Sequence, residues 1–253
     1  MGYIRQSKAS IGLSTIPVID SSYKPPHITT ESRKTPMSSQ EPKVGLLVPI
    51  TAQPGKEQAT AAFLDAGLSL VPSEPFTLQW FGLQYTDSSP ATYAIFDTFA
   101  SPTGRTAHLN GDIAAALMQN APELLSGAPE INEIEVLASK VDTSVSAGAK
   151  GKAAGLSVGL RVVFEAKPEK VDTVRDFLAG ALPLVIAEPF TPVWYAVAFP
   201  GTNKFGIVDF FASEGDRTLH LAGKVAAALF ANVDTLLTGA PDVVKVDVLA
   251  AKI

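Results

Sequence analysis

Short apolar runs alternate along the chain with longer segments in which apolar residues return every three or four positions. The short runs predict strands, and the longer segments predict amphipathic helices. Between residues 44 and 140 the predicted strands cover 44–52, 76–85, 92–100 and 131–138, and the predicted helices cover 54–70 and 101–120. The order strand, helix, strand, strand, helix, strand is that of ferredoxin-like folds.

The second half of the chain repeats this pattern. Its predicted strands cover 156–166, 190–199, 205–212 and 243–250, and its predicted helices cover 168–184 and 214–232. Residues 95–140 align without a gap with 207–252 and are identical at 24 of 46 positions. The heptapeptide Arg105-Thr-Ala-His-Leu-Asn-Gly111 returns as Arg217-Thr-Leu-His-Leu-Ala-Gly223. The fold class is therefore α+β, with two tandem ferredoxin-like (βαββαβ) repeats.

Many of the predicted strands are apolar on both faces. On 190–199, Trp194 and Ala196 point to one face while Tyr195 and Val197 point to the other. A sheet with one wet face would alternate apolar and polar residues, so both faces must be covered. The helices cover one face, and we expect the two antiparallel sheets to cover each other. Such sheets would pair as an α+β barrel and enclose an apolar cavity.

Composition divides the chain into four segments. Residues 1–43 are rich in Ser, Thr, Pro and Lys and predict a disordered or loosely packed tail. Residues 44–140 and 155–253 form the two repeats, and 141–154 predict a flexible linker rich in Ser, Gly, Ala and Lys. The tail has no acid among its first eighteen residues, which leaves organelle targeting as an alternative to the cytoplasmic location that we otherwise expect.

Composition also excludes several classes of function. The chain has no cysteine, which excludes disulfides, thiolate metal sites and cysteine nucleophiles. Its net charge is -5 and its basic residues are scattered, so we expect no nucleic-acid partner. No apolar run approaches the roughly 20 residues that cross a bilayer, so we expect a soluble protein with no membrane partner. Histidines and carboxylates at ligand spacing are lacking, so we predict no metal site.

Residues 94–117, which include the first heptapeptide, and their repeat at 206–229 resemble the antibiotic biosynthesis monooxygenase (ABM) domain, a family of the dimeric α+β barrel superfamily. The resemblance covers about 45–140 and 156–252. It implies a cofactor-free oxygenase that acts on an aromatic, quinol-like substrate. The superfamily also includes isomerases and haem-degrading members, so the fold alone does not settle the function. A tandem chain would pair its own repeats, with a homodimer as the alternative.

His108 and His220 hold equivalent places on the second predicted helix of each repeat. They are the candidate catalytic residues, because imidazole suits proton transfer near neutral pH. Arg105 and Arg217 lie three residues earlier on the same helix face, where a cation would favour the neutral imidazole that a general base needs. The alternative is structural, with both side chains hydrogen-bonded to loops.

Asp97 and Asp209 lie in mid-strand between apolar residues. A buried carboxylate needs a partner, and the arginine at the start of the following helix is the nearest candidate. We therefore predict two structural ion pairs, Asp97 with Arg105 and Asp209 with Arg217. The alternative is an acid or base in a cavity.

A tetrapeptide, Glu74-Pro-Phe-Thr77, also returns unchanged as Glu188-Pro-Phe-Thr191. It predicts a rigid turn in which the glutamate accepts hydrogen bonds from backbone N–H groups. A place at the mouth of a cavity is the alternative.

One aromatic strand in each repeat is the candidate substrate wall. The ABM resemblance gives this strand a tryptophan and a nearby asparagine that hold the substrate, but here no asparagine accompanies the tryptophan. The predicted substrate-binding residues are Trp80, Trp194, Phe81, Tyr195, Gln79 and Gln84. The second repeat has Val193 and Ala198 in place of the two glutamines, so we predict one functional cavity rather than two equivalent ones. Core packing accounts for both tryptophans equally well.

The leading hypothesis is an ABM-like protein that binds a small aromatic or polyketide-like molecule and oxidises it without a cofactor. One alternative is a non-catalytic barrel that serves as a binding or stress-related scaffold. Another is a cofactor-free isomerase or cyclase that uses histidine or aspartate as its base. A barrel interior filled by side chains would favour the scaffold.

Overall fold

A computed structural model describes residues 40–146 and 153–253. The predictions for residues 1–39 and 147–152 therefore lie outside the described residues. Elements of the first repeat are β1 (Val44–Thr51), α1 (Glu57–Gly67), β2 (Thr77–Tyr85), β3 (Thr92–Phe99), α2 (Pro102–Leu109), α3 (Asp112–Leu124) and β4 (Asn132–Val141). Those of the second are β5 (Val158–Glu165), α4 (Val171–Gly180), α5 (Leu182–Ile186), β6 (Val193–Ala198), β7 (Lys204–Phe211), α6 (Glu214–Leu221), α7 (Lys224–Ala231), α8 (Val233–Leu236) and β8 (Asp242–Lys252). The predicted fold class is confirmed.

The predicted second helix of each repeat is wrong in one respect, because it is two helices. The break between α2 and α3 falls at Gly111, and the break between α6 and α7 falls at Gly223. Both glycines have extended backbone, with ψ of -177° and 179°. Apolar spacing continues across the break, so the hydrophobic pattern alone could not reveal it.

The eight strands form one closed barrel in the order β1-β3-β2-β8-β5-β7-β6-β4, and every neighbouring pair is antiparallel. The two repeats meet along two seams, β2 with β8 and β4 with β6. Within the part of the chain that the structure describes, closure leaves this sheet without a free edge. The barrel is thus completed within one chain, and each repeat supplies its last strand to the sheet of the other.

The barrel interior is filled by side chains. Phe81 stacks on Phe210 with ring centroids 4.2 Å apart, and the rings of Phe96 and Tyr195 are 5.0 Å apart. Branched aliphatic residues from six of the strands complete this core. The predicted apolar cavity between the sheets is therefore wrong, because large aromatic side chains on both sheets occupy that space.

Two further apolar cores lie outside the barrel, between each sheet and its helices. The first contains Trp80 and includes Ala250 from the last strand of the second repeat. The second contains Trp194 and packs against Ala138 from the last strand of the first repeat. Each outer core is therefore completed by the other repeat.

Candidate functional site

A buried bridge of three side chains joins a strand, a helix and a turn in the first repeat. His108 Nδ1 lies 2.5 Å from Glu74 Oε2, and His108 Nε2 lies 3.1 Å from Asp97 Oδ2. Asp97 is fully buried and His108 is 5% exposed. The Thr77 hydroxyl lies 3.3 Å from the same glutamate oxygen and 3.4 Å from the ring nitrogen. We call Glu74, His108 and Asp97 the first bridge.

The second repeat contains the same arrangement. His220 Nδ1 lies 2.8 Å from Glu188 Oε2, and His220 Nε2 lies 3.2 Å from Asp209 Oδ2. The Thr191 hydroxyl donates to Glu188 at 3.0 Å. We call Glu188, His220 and Asp209 the second bridge. The same three residue types therefore make the same contacts in both repeats.

The local sequence explains how the first bridge forms. Ser101 caps α2 by accepting a hydrogen bond from the Gly104 backbone N–H, and this cap starts the helix that carries His108. Glu74 also accepts a hydrogen bond of 3.1 Å from the Ile113 backbone N–H at the start of α3. A carboxylate at a helix N-terminus is favoured by the helix dipole. A Cβ atom on Gly111 would overlap the Glu74 carboxylate, so this approach requires glycine.

Both histidines are held in the charged form. Burial opposes the charge, but the hydrogen bond and the negative charge of Asp97, together with Glu74, outweigh it and raise the pKa of His108 to about 9. The pKa of His220 is raised to about 9 for the same reasons, with Asp209 and Glu188 as the acids. Burial raises the pKa of both aspartates, and the neighbouring histidine opposes this shift.

This geometry gives the histidines a bridging role. Both ring nitrogens face a carboxylate, so neither is free to accept a proton, and the raised pKa is the opposite of the neutral imidazole expected beside arginine. The catalytic role predicted for His108 and His220 stays a prediction, and the contacts of the two rings argue against it.

The predicted ion pairs between aspartate and arginine are wrong. Arg105 pairs with Glu133 at 2.5 Å and reaches the Ile134 carbonyl at 3.4 Å. Arg217 pairs with Glu214, and its guanidinium donates to the carbonyls of Gly159 at 3.0 Å and Val246 at 3.3 Å. The arginines extend along the sheet to the neighbouring strands, while the histidine one turn later occupies the space over the aspartate.

A cleft of about 240 Å³ is lined by Glu74 and His108 of the first bridge, and two more apolar clefts lie in the same repeat. One, of about 200 Å³, lies between α1, α3 and the sheet and is lined by Trp80, Ile95 and Ile113 among mostly apolar residues. A smaller one, of about 80 Å³, is lined by Asp97 and His108 and shares Ile95 and Ile113 with the first. We call these the Trp80 cleft and the Asp97 cleft. Together they place an aromatic wall near a buried carboxylate.

The Trp80 cleft has unused hydrogen-bonding capacity. Trp80 is 1% exposed, and neither its indole Nε1 nor that of the fully buried Trp194 has a hydrogen-bond partner among the described residues. Asp97 differs, because its carboxylate lies 3.1 Å from His108 Nε2 and is satisfied by that contact. Buried polar groups without a partner are rare in folded proteins, and a bound ligand is one explanation for them.

The predicted substrate-binding residues are not brought together, because successive residues on a strand face opposite sides of the sheet. Trp80 and Trp194 lie in the two outer cores. Phe81 and Tyr195 lie inside the barrel, and Gln79 accepts a hydrogen bond from the Thr98 hydroxyl. Gln84 is half-buried near the end of β2. Of this set, Trp80 lines the Trp80 cleft.

The sequence prediction missed the place of the two glutamates in the bridges. The signal was present, since the tetrapeptide that begins with Glu74 returns unchanged in the second repeat. Spacing along the chain could not pair Glu74 with a histidine 34 residues later.

Among residues 40–146 and 153–253, no group of three side chains is arranged to hold a metal ion. No helix in those ranges is long and apolar enough to span a membrane.

Comparison with known proteins shows the fold. No family model matches the chain, and no curated protein matches it. The chain is similar to a "putative monooxygenase" from Fusobacterium nucleatum, with a TM-score of 0.72 and 14% identity over 83% of this chain and 94% of that chain. A "putative monooxygenase" from Lactobacillus acidophilus gives a TM-score of 0.63 and 12% identity over 83% and 96% of the two chains.

A third solved structure, of an "anthrone oxidase-like protein", gives a TM-score of 0.53 and 13% identity over 85% of this chain and 95% of that chain. At such identities the likeness concerns the fold. The chain has the fold of these α+β proteins, as the resemblance at 94–117 implies.

Gly111→Ala should destabilise the protein by about 1 to 3 kcal/mol, because the added methyl group overlaps the Glu74 carboxylate. The free energy of unfolding, measured by chemical denaturation, checks this. Gly127→Ala is the matched control, since a methyl group there meets nothing within 4 Å. Equal stability of the two variants would contradict the close approach of Glu74.

The bridges should also make stability depend on pH. Each histidine has a pKa raised from 6.5 to about 9, so its contribution is complete below pH 6.5 and is lost as the pH rises through 9. We expect the free energy of unfolding to fall by roughly 1 to 3 kcal/mol per bridge across this window. Denaturation at pH 6 to 9 checks it. A His108→Gln/His220→Gln double variant should lose this slope, and an unchanged slope would refute the assignment.

Proposed function

We propose that the protein binds an aromatic, quinol-like or polyketide-like small molecule in the Trp80 cleft and oxidises it without a cofactor. The observation that carries this proposal is the apolar cleft lined by Trp80, whose buried indole N–H has no hydrogen-bond partner among the described residues. An apolar pocket with a few convergent polar groups is the usual form of a small-molecule site. The site lies outside the barrel, under α1 and α3.

The lining of the cleft indicates the ligand. Phe63, Leu70 and Ile113 offer apolar contacts, so a flat hydrophobic ring system would bury most of its surface there. The Trp80 N–H would donate to a carbonyl or phenolic oxygen of the ligand. A hydrogen-bond acceptor on an aromatic ring system satisfies both requirements.

Asp97 is the group best placed to take a proton from such a ligand. Its carboxylate lines the Asp97 cleft, and burial raises its pKa, which makes it a stronger base. His108, charged and held by Glu74, keeps the carboxylate in place. We assign proton removal to Asp97 and a positioning role to His108.

The reaction balances with dioxygen as the oxidant. A methylene flanked by aromatic rings loses a proton to Asp97, and the resulting carbanion passes one electron to dioxygen. The two radicals combine as a peroxide anion, which takes the proton back from Asp97, and loss of water from the hydroperoxide leaves a carbonyl group. Overall, CH₂ and O₂ give C=O and H₂O: the carbon loses four electrons and dioxygen gains four. The substrate supplies the electrons, so no cofactor is required.

The names of the similar structures support this reaction. Two are each named a "putative monooxygenase", and a third is named an "anthrone oxidase-like protein".

A second candidate function is a non-catalytic barrel that binds the same class of ligand. Two observations favour it: the barrel interior is filled, and both nitrogens of His108 are occupied by carboxylates.

Oxygen uptake with anthrone distinguishes the two functions. The oxidase predicts uptake of one dioxygen per anthrone and formation of anthraquinone. Asp97→Asn should lower kcat by at least about 100-fold, since a general base contributes at least this much, while calorimetric binding of anthraquinone persists. Asp209→Asn, the same change in the second bridge, is the matched control: it should lower stability about as much as Asp97→Asn, and the folded variant should retain uptake.

Binding without oxygen uptake in the unaltered protein would contradict the proposed oxidation but would still support ligand binding. Failure to bind anthraquinone or naphthoquinone would contradict ligand binding as well. Full activity in a folded Asp97→Asn variant would remove Asp97 from the chemistry.

A further inference from the structure

The second repeat has a cleft equivalent to the Trp80 cleft. It has a volume of about 280 Å³ and lies between α4, α5, α7 and the sheet. Phe177, Leu184, Ile207 and Ala228 line it, and they correspond in sequence to Phe63, Leu70, Ile95 and Ala116 of the first cleft. We call it the Ile207 cleft. The frame of the site was therefore duplicated with the fold.

The tryptophans differ in their relation to these clefts. Trp80 lines the first cleft, whereas the described residues that line the Ile207 cleft do not include Trp194. Trp194 is fully buried in the outer core of the second repeat. Both residues occupy the same place on equivalent strands, so their neighbours must cause the difference.

Two glycines make room for the ring of Trp80. A Cβ atom on Gly67, at the end of α1, would lie 3.3 Å from both Cη2 and Cζ2 of Trp80. A Cβ atom on Gly82 would lie 3.2 Å from Cη2 of the same ring and 3.2 Å from Leu64 Cβ. Such distances are shorter than ordinary van der Waals contact, so the ring uses the space that two methyl groups would otherwise fill.

The second repeat has those two methyl groups. Ala181 stands at the position of Gly67, and Ala196 stands at the position of Gly82. Ala181 lines the Ile207 cleft, and Ala196 is fully buried in the core beneath it. The two positions that leave room for the Trp80 ring in the first repeat thus carry methyl groups in the second.

We infer that Gly67 and Gly82 determine ligand specificity: they make the Trp80 cleft the site for a flat aromatic ligand with a carbonyl oxygen. The Ile207 cleft, whose lining includes Phe177 but not Trp194, excludes the same ligand from contact with Trp194. This inference rests on the proposed function and names the residues that restrict it to one repeat. The difference between repeats lies in this glycine pair and not in Gln79 and Gln84, which do not line the Trp80 cleft.

The test uses the full chain labelled with ¹⁵N, whose two tryptophans give two indole N–H signals in a proton–nitrogen correlation spectrum. Trp80→Phe and Trp194→Phe variants assign the two signals. Titration with 1,4-naphthoquinone, a flat ring system with two carbonyl groups, should shift the Trp80 signal saturably and leave the Trp194 signal in place. Gly67→Ala should weaken the binding at least tenfold.

Gly180→Ala is the matched control, because it adds a methyl group beside the Ile207 cleft where nothing lies within 4 Å. It should leave the affinity for naphthoquinone unchanged. If calorimetry shows binding but both indole signals shift alike, or if a folded Gly67→Ala variant binds as tightly as the unaltered protein, the inference is overturned and the proposed function stands. If the quinone neither binds nor shifts either signal, both are overturned.

Discussion

The structure depends on a charged histidine buried between two carboxylates, once in each repeat. Each bridge joins a strand of the barrel, the first helix after that strand and the turn before the aromatic strand. Because Glu74 also caps the next helix, one cluster fixes the orientation of two helices over the sheet. Removing a single partner would leave a buried charge uncompensated, which is far more costly than losing a surface ion pair.

The bridges are also connected to the seams of the barrel. The Lys140 ammonium, at the end of β4, donates to the carbonyls of Val185 at 3.0 Å and Glu188 at 2.7 Å in the opposite repeat. Lys252, at the end of β8, donates to the Thr77 carbonyl. Each last strand therefore holds the turn that supplies the glutamate of the other repeat's bridge. Closure of the barrel and assembly of the bridges depend on each other.

The sequence predicted the fold because its strongest signals are periodic. Alternation and helical spacing located the strands, and the repeated segments showed that the chain is built twice. The break at Gly111 was missed because it comes from a contact with a glutamate distant in sequence, and apolar spacing carries no trace of it. The predicted partner of Asp97 was wrong for a similar reason. Helix geometry alone does not determine whether Arg105 or His108 lies over the strand.

The sequence predicted Trp80 as a residue of the candidate site but placed the site inside the barrel and not on the outer face of the sheet. The residue type alone indicated Trp80. Because the strands are apolar on both faces, the sequence did not indicate which face of the sheet would line a cleft. The filled interior moves the site to the outer face, where Trp80 and Asp97 line neighbouring clefts. The role of Gly67 depends on its close approach to the Trp80 ring, and the sequence does not show that contact.

The protonation state of the two bridging histidines tests this account most directly. Nitrogen NMR of the imidazole rings at pH 8, assigned with His108→Gln and His220→Gln variants, should show both nitrogens of each ring protonated. The titration midpoints should fall at about 9. A neutral ring at pH 8 with one unprotonated nitrogen, in either repeat, would contradict the buried charge on which the described architecture depends.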